Sequence, residues 1–192
     1  MKQNWKAGTM ISPVPAVMVS CGSMDGDHNI ITIAWTGTIC SEPAMCYISV
    51  RKERHSYKMI RESGEFVINL TTVALAKATD WCGVRSGRDY DKFKEMGLTP
   101  VAAAMVKAPV VEESPVAIEC KVRQVIPLGS HDMFIADIVA TGVDESLIDE
   151  KGSLHLGRAN LSAFAHGEYF ELGKTIGSFG YSVRKKKKKN KK

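Results

Sequence analysis

The residues best suited to chemistry lie between positions 29 and 72, and they could hold a small phosphorylated ligand. Arg51, Lys52 and Arg54 follow a short apolar segment and come just before Ser56, where a helix is predicted to begin. A phosphate dianion is held best by charged hydrogen bonds and by the free N–H groups of a helix start. The same residues are equally typical of a solvated charged turn before an ordinary helix.

The strand that precedes these cations could receive a flat ring. Ala34 is small and Gly37 has no side chain, so a ring could approach the backbone closely there. Thr36 and Thr38 lie on one face of this strand, and Trp35 lies on the other. A glycine at this position is also compatible with a bulge or a barrel corner.

The chain carries none of the common nucleotide-binding or hydrolytic motifs. No G-x-G-x-x-G follows a strand, and the glycines of residues 173–180 fit neither that motif nor a P-loop. The five cysteines show no C-x-x-C spacing, so we expect no metal site. Among the five histidines, His131 at a predicted hairpin turn is the best candidate to face a site.

The composition favours one domain over residues 1–184, followed by a disordered tail. The 192 residues are 44% hydrophobic, which suits a sizeable core. The formal net charge is +5, and removing the seven lysines of residues 185–192 leaves −2, so we expect no specific nucleic-acid partner. No apolar stretch resembles a signal peptide or a membrane span, so we expect a cytoplasmic protein with reduced cysteines and no membrane partner.

The residue patterns predict many strands and a few short helices. The predicted strands are residues 14–21, 30–40, 44–50, 66–70, 116–126 and 133–143, and the predicted helices are His55–Ser63, 72–81 and 91–96. Residues 116–126 alternate, with Glu119 on the face expected to be exposed, and form a long hairpin with residues 133–143. Such a succession predicts a closed or partly closed β-barrel.

Five separated segments resemble the flavin reductase-like, FMN-binding split-barrel family, and in particular its flavoredoxin-like branch. They are NIITIAWTGTICSEPAMCYISV, RKERHSYKMIRESGEFVINL, DYDKF, GSHDMFIADIV and HGEYFELGKTIGSFGYS. Their shared order over residues 14–182 carries the resemblance. It implies a mainly β fold, a split β-barrel of Greek-key type with a few short peripheral helices.

The resemblance also implies non-covalently bound FMN and assigns residues to it. The strand from Ala34 lines the flavin ring, the segment up to Ser56 lies along the ribityl phosphate, and Lys92 would place a cation near the reduced ring. The residues assigned to FMN are Ala34, Trp35, Thr36, Gly37, Thr38, Ser49, Val50, Arg51, Ser56, Asn69, Lys92, Phe93 and Tyr169. His131 matches a histidine that meets the nicotinamide side in relatives, and it is the catalytic candidate.

The implied function is an oxidoreductase that passes hydride or electrons from NAD(P)H through bound FMN to a flavin or protein acceptor, working as a homodimer. The alternative is a flavoredoxin-like electron carrier that binds FMN but uses NAD(P)H poorly. Ser41, Glu42 and Pro43 stand where many flavin reductases have a Ser/Thr-Pro-Pro pattern, which favours the flavoredoxin-like branch. A split barrel that binds no flavin is the third interpretation.

Overall fold

The fold of residues 1–184, taken from a computed structural model, consists mainly of antiparallel strands, and the tail predicted at residues 185–192 lies outside the described residues. The strands are β1 (Val17–Gly22), β2 (His28–Ile33), β3 (Thr36–Ser41), β4 (Ala44–Arg51), β5 (Glu65–Asn69), β6 (Pro100–Val101), β7 (Val110–Val111), β8 (Val116–Pro127), β9 (His131–Val143), β10 (Ser162–Ala165) and β11 (Glu168–Glu171). The α-helices are α1 (His55–Ser63), α2 (Ala76–Val84) and α3 (Lys92–Met96). None of the helices within residues 1–184 has the length and apolar character that a membrane crossing requires.

Seven strands form one sheet in the order β2-β1-β5-β8-β9-β4-β3. β2 and β3 are the opposite edges of this sheet, yet only Ala34 and Trp35 separate them in the chain. A link this short spans at most about 11 Å, whereas the edges of a flat seven-stranded sheet lie about 29 Å apart. The sheet must therefore curl until its edges nearly meet, which confirms the predicted split β-barrel. We call Ala34 and Trp35 the seam.

The prediction of a single strand over residues 30–40 was wrong, because the seam divides this segment. Residues 30–40 were predicted as one strand, but the chain leaves β2 at Ile33 and enters β3 at Thr36. The first half pairs with β1 and the second half pairs with β4, so the two halves follow different neighbours. Each half forms a hairpin with the strand next to it in the sequence, so the break lies where one hairpin ends and the next begins. The local residue pattern carries no sign of this break.

Helix α1 and the long hairpin match the predictions closely. The helix predicted at residues 72–81 instead spans Ala76–Val84, because Thr72 pairs with Leu161 in an isolated bridge. Helix α1 has the predicted bounds and ends where Gly64 adopts a left-handed conformation with φ of 68°. The long hairpin is confirmed as β8 and β9, which pair along almost their whole length.

The core has two parts, one inside the barrel and one between the barrel and the helices. Alternate residues of β4, including Ile48 and Val50, point into the barrel together with Phe66 and Phe134, and all of these are buried. The second part packs Met18 and Ile30 against α2 and α3, with Phe93 among the buried side chains. Helices α2 and α3 therefore pack against β1 and β2, on the side of the barrel where β2 leads into the seam.

Candidate functional site

Two adjoining hollows lie beside the seam, and they form one groove. The seam hollow, of about 190 Å³, is lined by residues that include Ala34, Trp35, Ser49, Arg51 and His131. The cationic hollow, of about 330 Å³, lies between the start of α1 and residues 82–88. These residues, which we call the 82–88 segment, comprise the last turn of α2 and the loop that follows it. Ile31 and Arg54 line both hollows, so a ligand could extend from one into the other.

The cationic hollow concentrates positive charge. It is lined by Arg54, Arg85, Arg88 and Lys92, with Glu53 as the acidic residue among its lining side chains. Such a group of guanidinium and ammonium donors is the composition expected of a phosphate site. Arg85 and Arg88 were missed by the sequence prediction, although their glycine-rich, charged segment was a usable signal.

Two of the three predicted phosphate cations lie elsewhere. The Arg51 side chain is 49% exposed, lines the seam hollow and lies 3.4 Å from a Glu53 carboxylate oxygen. Lys52 lies 3.2 Å from a carboxylate oxygen of buried Asp132, which also accepts a hydrogen bond of 2.6 Å from the Tyr57 hydroxyl. Arg54 is the member of the predicted group that reaches the cationic hollow.

The inner wall of the cationic hollow combines buried polar groups with a helix start. The Asn29 amide donates a 2.8 Å hydrogen bond to the Ser56 hydroxyl, and both side chains are buried. Ser56 lies in the first turn of α1, whose N-cap is Arg54, and no side chain within residues 1–184 caps this end. The first N–H groups of the helix therefore remain available to an anion.

Two glycines, one in the last turn of α2 and one in the loop after it, allow the 82–88 segment to lie directly on β2. A Cβ atom on Gly87 would lie 2.3 Å from the Asn29 amide oxygen, and a Cβ on Gly83 would lie 3.1 Å from the Thr32 Cβ. The first distance is far shorter than carbon–oxygen contact permits. The loop therefore forms the wall of the hollow only because position 87 has no side chain.

Gly87→Ala is expected to weaken ligand binding and protein stability together. The added methyl group displaces either the loop or the Asn29 amide, at an overpacking cost of about 1–3 kcal/mol. Thermal melting and ligand titration of the variant measure both effects. The matched control is Gly26→Ala, because a Cβ there meets nothing within 4 Å. A Gly87→Ala protein that behaves like this control would contradict the close packing.

Lys92 is a buried cation at the base of the cationic hollow. Its ammonium donates to the carbonyl oxygens of Ile30, at 2.8 Å, and Cys82, at 2.7 Å, which leaves one of its three N–H groups for a ligand. Burial lowers the pKa of Lys92 to about 8, although the neighbouring Cys82 and Cys21 act in the opposite direction. Lys92 therefore lies at the groove, with its ammonium beside β2.

The seam hollow has aromatic walls. The rings of Trp35 and His131 lie 4.5 Å apart between centroids at an interplanar angle of 37°. The Trp35 carbonyl accepts a 2.9 Å hydrogen bond from the Ser49 backbone N–H, which ties the seam to β4. Burial, followed by the charge of Arg51, lowers the pKa of His131 below its ordinary value. His131 therefore presents a predominantly neutral ring near neutral pH.

Most of the predicted site residues fall into three groups along the groove. Ala34, Trp35, Ser49, Val50, Arg51 and His131 line the seam hollow, and Ser56 and Lys92 line the cationic hollow. Thr36, Gly37 and Thr38 lie in β3, next to the seam. There the Thr36 hydroxyl donates a 2.6 Å hydrogen bond to the Tyr47 carbonyl, and Gly37 lies against the Tyr47 ring.

Besides the β3 residues, which adjoin the seam without lining either hollow, three predicted contacts lie away from the groove. The Asn69 amide donates hydrogen bonds of 3.0 Å to the Met18 carbonyl and the Ser20 hydroxyl, and it accepts one of 2.9 Å from the Val111 N–H. These hydrogen bonds join β5 to β1 and β7 and stabilise the fold. The Phe93 ring is 3% exposed within the second core.

Tyr169 lies on the β10–β11 hairpin. Its hydroxyl donates to Asp80 at 3.4 Å, and burial, together with the Asp80 charge, raises its pKa to about 12. We therefore remove Asn69, Phe93 and Tyr169 from the candidate site.

Comparison with known proteins gives a consistent result. Residues 9–172 match the model of the flavin reductase like domain. The chain is 34% identical to the flavoredoxin of Desulfovibrio vulgaris (Miyazaki F), with a TM-score of 0.88 over 96% of this chain and 100% of that one.

Two further solved structures share the fold at lower identity. Nitrilotriacetate monooxygenase component B from Bacillus cereus is 22% identical, with a TM-score of 0.79 over 88% of each chain. An FMN-binding protein from Thermus thermophilus is 20% identical, with a TM-score of 0.78 over 93% of this chain and 100% of that one.

Proposed function

The chain belongs to the flavin reductase-like family, and we propose that it binds FMN in the groove and transfers hydride or electrons from NAD(P)H through FMN to an acceptor. The proposal rests on one observation: the two hollows adjoin and share lining residues. One end collects cations and a helix start, the other end is aromatic, and Ile31 and Arg54 belong to both. FMN has a matching arrangement of groups, with a phosphate at one end and a flat ring at the other.

The phosphate end is supplied by charges and N–H groups. Arg54, Arg85 and Arg88 would bind the phosphate dianion by charged hydrogen bonds, and Ser56 adds a hydroxyl at the start of α1. The buried Asn29 amide fixes the Ser56 side chain, so this part of the site is ordered before a ligand arrives. The donor set therefore fits a terminal phosphate.

The ring end is supplied by the seam and its neighbours. Small Ala34 leaves room for a ring, and the Trp35–His131 pair bounds the hollow on the side of β9. The remaining N–H of Lys92 offers a positive charge near the junction of the two hollows. A cation there would favour an electron-rich ring, which is how a protein tunes a flavin.

The chemistry of hydride and electron transfer is that of FMN once it is bound. The contribution of the protein is to hold the ring and to leave space in which a nicotinamide can approach it. His131 is predominantly neutral and its ring lies against Trp35 at a tilt, so it could position that nicotinamide by contact. Acid–base catalysis by His131 is not required for this role.

A second candidate function is supported by the 34% identity with a flavoredoxin. In this alternative the protein is an electron carrier that binds FMN and uses NAD(P)H poorly. An anaerobic mixture of the FMN-loaded protein with NADH or NADPH separates the two functions. Rapid bleaching of the flavin absorbance supports the reductase, whereas bleaching only by a reduced low-potential protein supports the carrier.

Flavin binding itself is tested by the visible spectrum of the purified protein and by titration with FMN. We expect the yellow absorbance of bound flavin and saturable quenching of FMN fluorescence. If no flavin co-purifies and added FMN stays fluorescent, both functions are excluded, which leaves the interpretation of a flavin-free barrel.

FMN affinity is expected to fall as the pH is raised from about 7 to about 9, by up to tenfold per pH unit. The free protein loses the Lys92 proton near a pKa of about 8, and an anionic ligand binds the protonated form better. The thiols of Cys21 and Cys82, which face Lys92, have pKa values raised to about 11 and stay neutral in this window.

Fluorescence titrations of wild type and Lys92→Met across this pH range provide the measurement, with thermal melting to verify that the variant folds. The variant should bind FMN with a flat pH profile. An identical downward slope in both proteins would show that another group titrates.

We also propose that the protein is a homodimer. Apolar side chains near both ends of the described chain are strongly exposed, among them Trp5, Ile11, Ile176 and Phe179. Large apolar side chains that are this exposed gain free energy when a second chain covers them. Light scattering on a sizing column should give twice the chain mass, and a monomer mass would refute the dimer.

A further inference from the structure

Two hydrogen bonds cross the cationic hollow between the turn before α1 and the 82–88 segment. The Arg88 side chain donates from Nη2 to the Glu53 carbonyl at 3.2 Å. The Arg54 side chain donates from Nη1 to the Gly83 carbonyl at 3.5 Å. The first bond joins the turn before α1 to the loop after α2, and the second joins that turn to the last turn of α2. We call this pair of bonds the clasp.

The clasped loop is also fixed on its other side. Gly83 and Gly87 lie against β2 so closely that an added methyl group would meet Thr32 or Asn29. Within the loop region, the Ser86 hydroxyl accepts a 3.2 Å hydrogen bond from the Arg88 N–H. The loop is thus held between β2 and the clasp, and the clasp residues Arg54, Gly83 and Arg88 all line the cationic hollow.

We propose that the clasp selects FMN over FAD, an inference that rests on the proposed binding of flavin in this groove. FMN ends at its phosphate, so it needs no path beyond the clasp. FAD continues from the same phosphate through a second phosphate to adenosine, which needs a way out of the hollow. With the clasp closed, the adenosine half of FAD can extend out of the hollow only if the two clasp bonds break.

Charge alone does not separate the two flavins. The FMN phosphate and the FAD diphosphate each carry about two negative charges above pH 7, so the arginines attract both. Selectivity must therefore come from a feature that penalises the longer ligand, which is specificity by exclusion. The clasp is such a feature, because it costs FMN nothing and obstructs FAD.

The test measures binding of riboflavin, FMN and FAD to the flavin-free full-length protein by fluorescence quenching and calorimetry. Wild type is expected to bind FMN at least about 30-fold more tightly than FAD. Arg88→Ala removes one clasp bond and one positive charge. Losing the charge weakens both flavins alike, while opening the clasp favours FAD, so the FAD-to-FMN ratio of dissociation constants should fall about fivefold or more.

Arg85→Ala is the matched control. Arg85 lines the same hollow, but its guanidinium lies over the Tyr90 ring, 5.6 Å from the centroid. Its removal should weaken FMN and FAD by the same factor and leave their ratio unchanged.

Three results would overturn the proposal. Equal binding of FMN and FAD by wild type would do so without any variant, and so would an unchanged ratio in Arg88→Ala. A ratio that shifts equally in Arg85→Ala would show that charge, and not the clasp, sets the preference. These results differ from the result expected if the proposed function is wrong, because in that case none of the three flavins, riboflavin included, would bind.

Discussion

Arg54→Ala is expected to weaken FMN binding by roughly 1.5–3 kcal/mol, a factor of about 10 to 150 in the dissociation constant. Arg54 belongs to both hollows, holds the N-cap position of α1 and contributes one bond of the clasp. Its removal therefore takes away a charged contact to the phosphate and loosens the wall that surrounds it. Fluorescence titration of the flavin-free variant measures the loss.

Arg51→Ala provides the comparison for Arg54→Ala. The sequence alone favoured Arg51 as a phosphate ligand, but in the structure its side chain is half exposed and faces Glu53 at the seam hollow. The effect of its removal should be clearly smaller. If the two variants ranked in the opposite order, the phosphate would have to lie towards the seam, and the orientation proposed for FMN would be reversed.

Phe134→Ala is expected to lower the free energy of unfolding by about 3–5 kcal/mol. Phe134 is completely buried inside the barrel, lies opposite Ile48 on β4 and packs edge-on against Tyr57 at 5.5 Å between ring centroids. Truncation leaves a cavity where β9, β4 and α1 meet. Since domains of this kind are stable by only about 5–15 kcal/mol, much of the total would be lost.

Chemical denaturation and thermal melting provide the measurement, and the expected drop in melting temperature is roughly 6–20 °C. Phe170→Ala is the matched control, because this phenylalanine is 47% exposed on the β10–β11 hairpin. It should cost much less than Phe134→Ala. Equal losses in the two variants would contradict the assignment of Phe134 to the barrel core.

The sequence predicts well the elements whose causes are local. Helix α1 follows from its apolar spacing and from Gly64, which ends it in a left-handed conformation. The β8–β9 hairpin follows from two alternating segments joined by a short turn. The resemblance of several segments to one family adds the split barrel, because it carries information about distant pairings that periodicity lacks.

What the sequence cannot predict depends on contacts between distant segments. Arg88 reaches the Glu53 carbonyl across 35 positions of the chain, so its role is invisible in its own neighbourhood. Glu119 was expected on an exposed face, but it is 4% exposed and accepts hydrogen bonds from the N–H groups of Ala104 and Met105. A folded loop covers this carboxylate, and alternation along β8 contains no sign of that loop.

The strand order has a consequence for how the protein is made. The β8–β9 hairpin is inserted between β5 and β4, and these two strands are both complete by residue 69. A chain emerging from the ribosome therefore contains almost every groove residue before it can join the two parts of the sheet. Until residues 116–143 arrive, β4 and β5 present open edges, which are prone to pair with other chains. Assembly of the barrel must wait for β9, so a synthesis arrest before residue 143 would leave an aggregation-prone chain that carries most of the site but cannot close it.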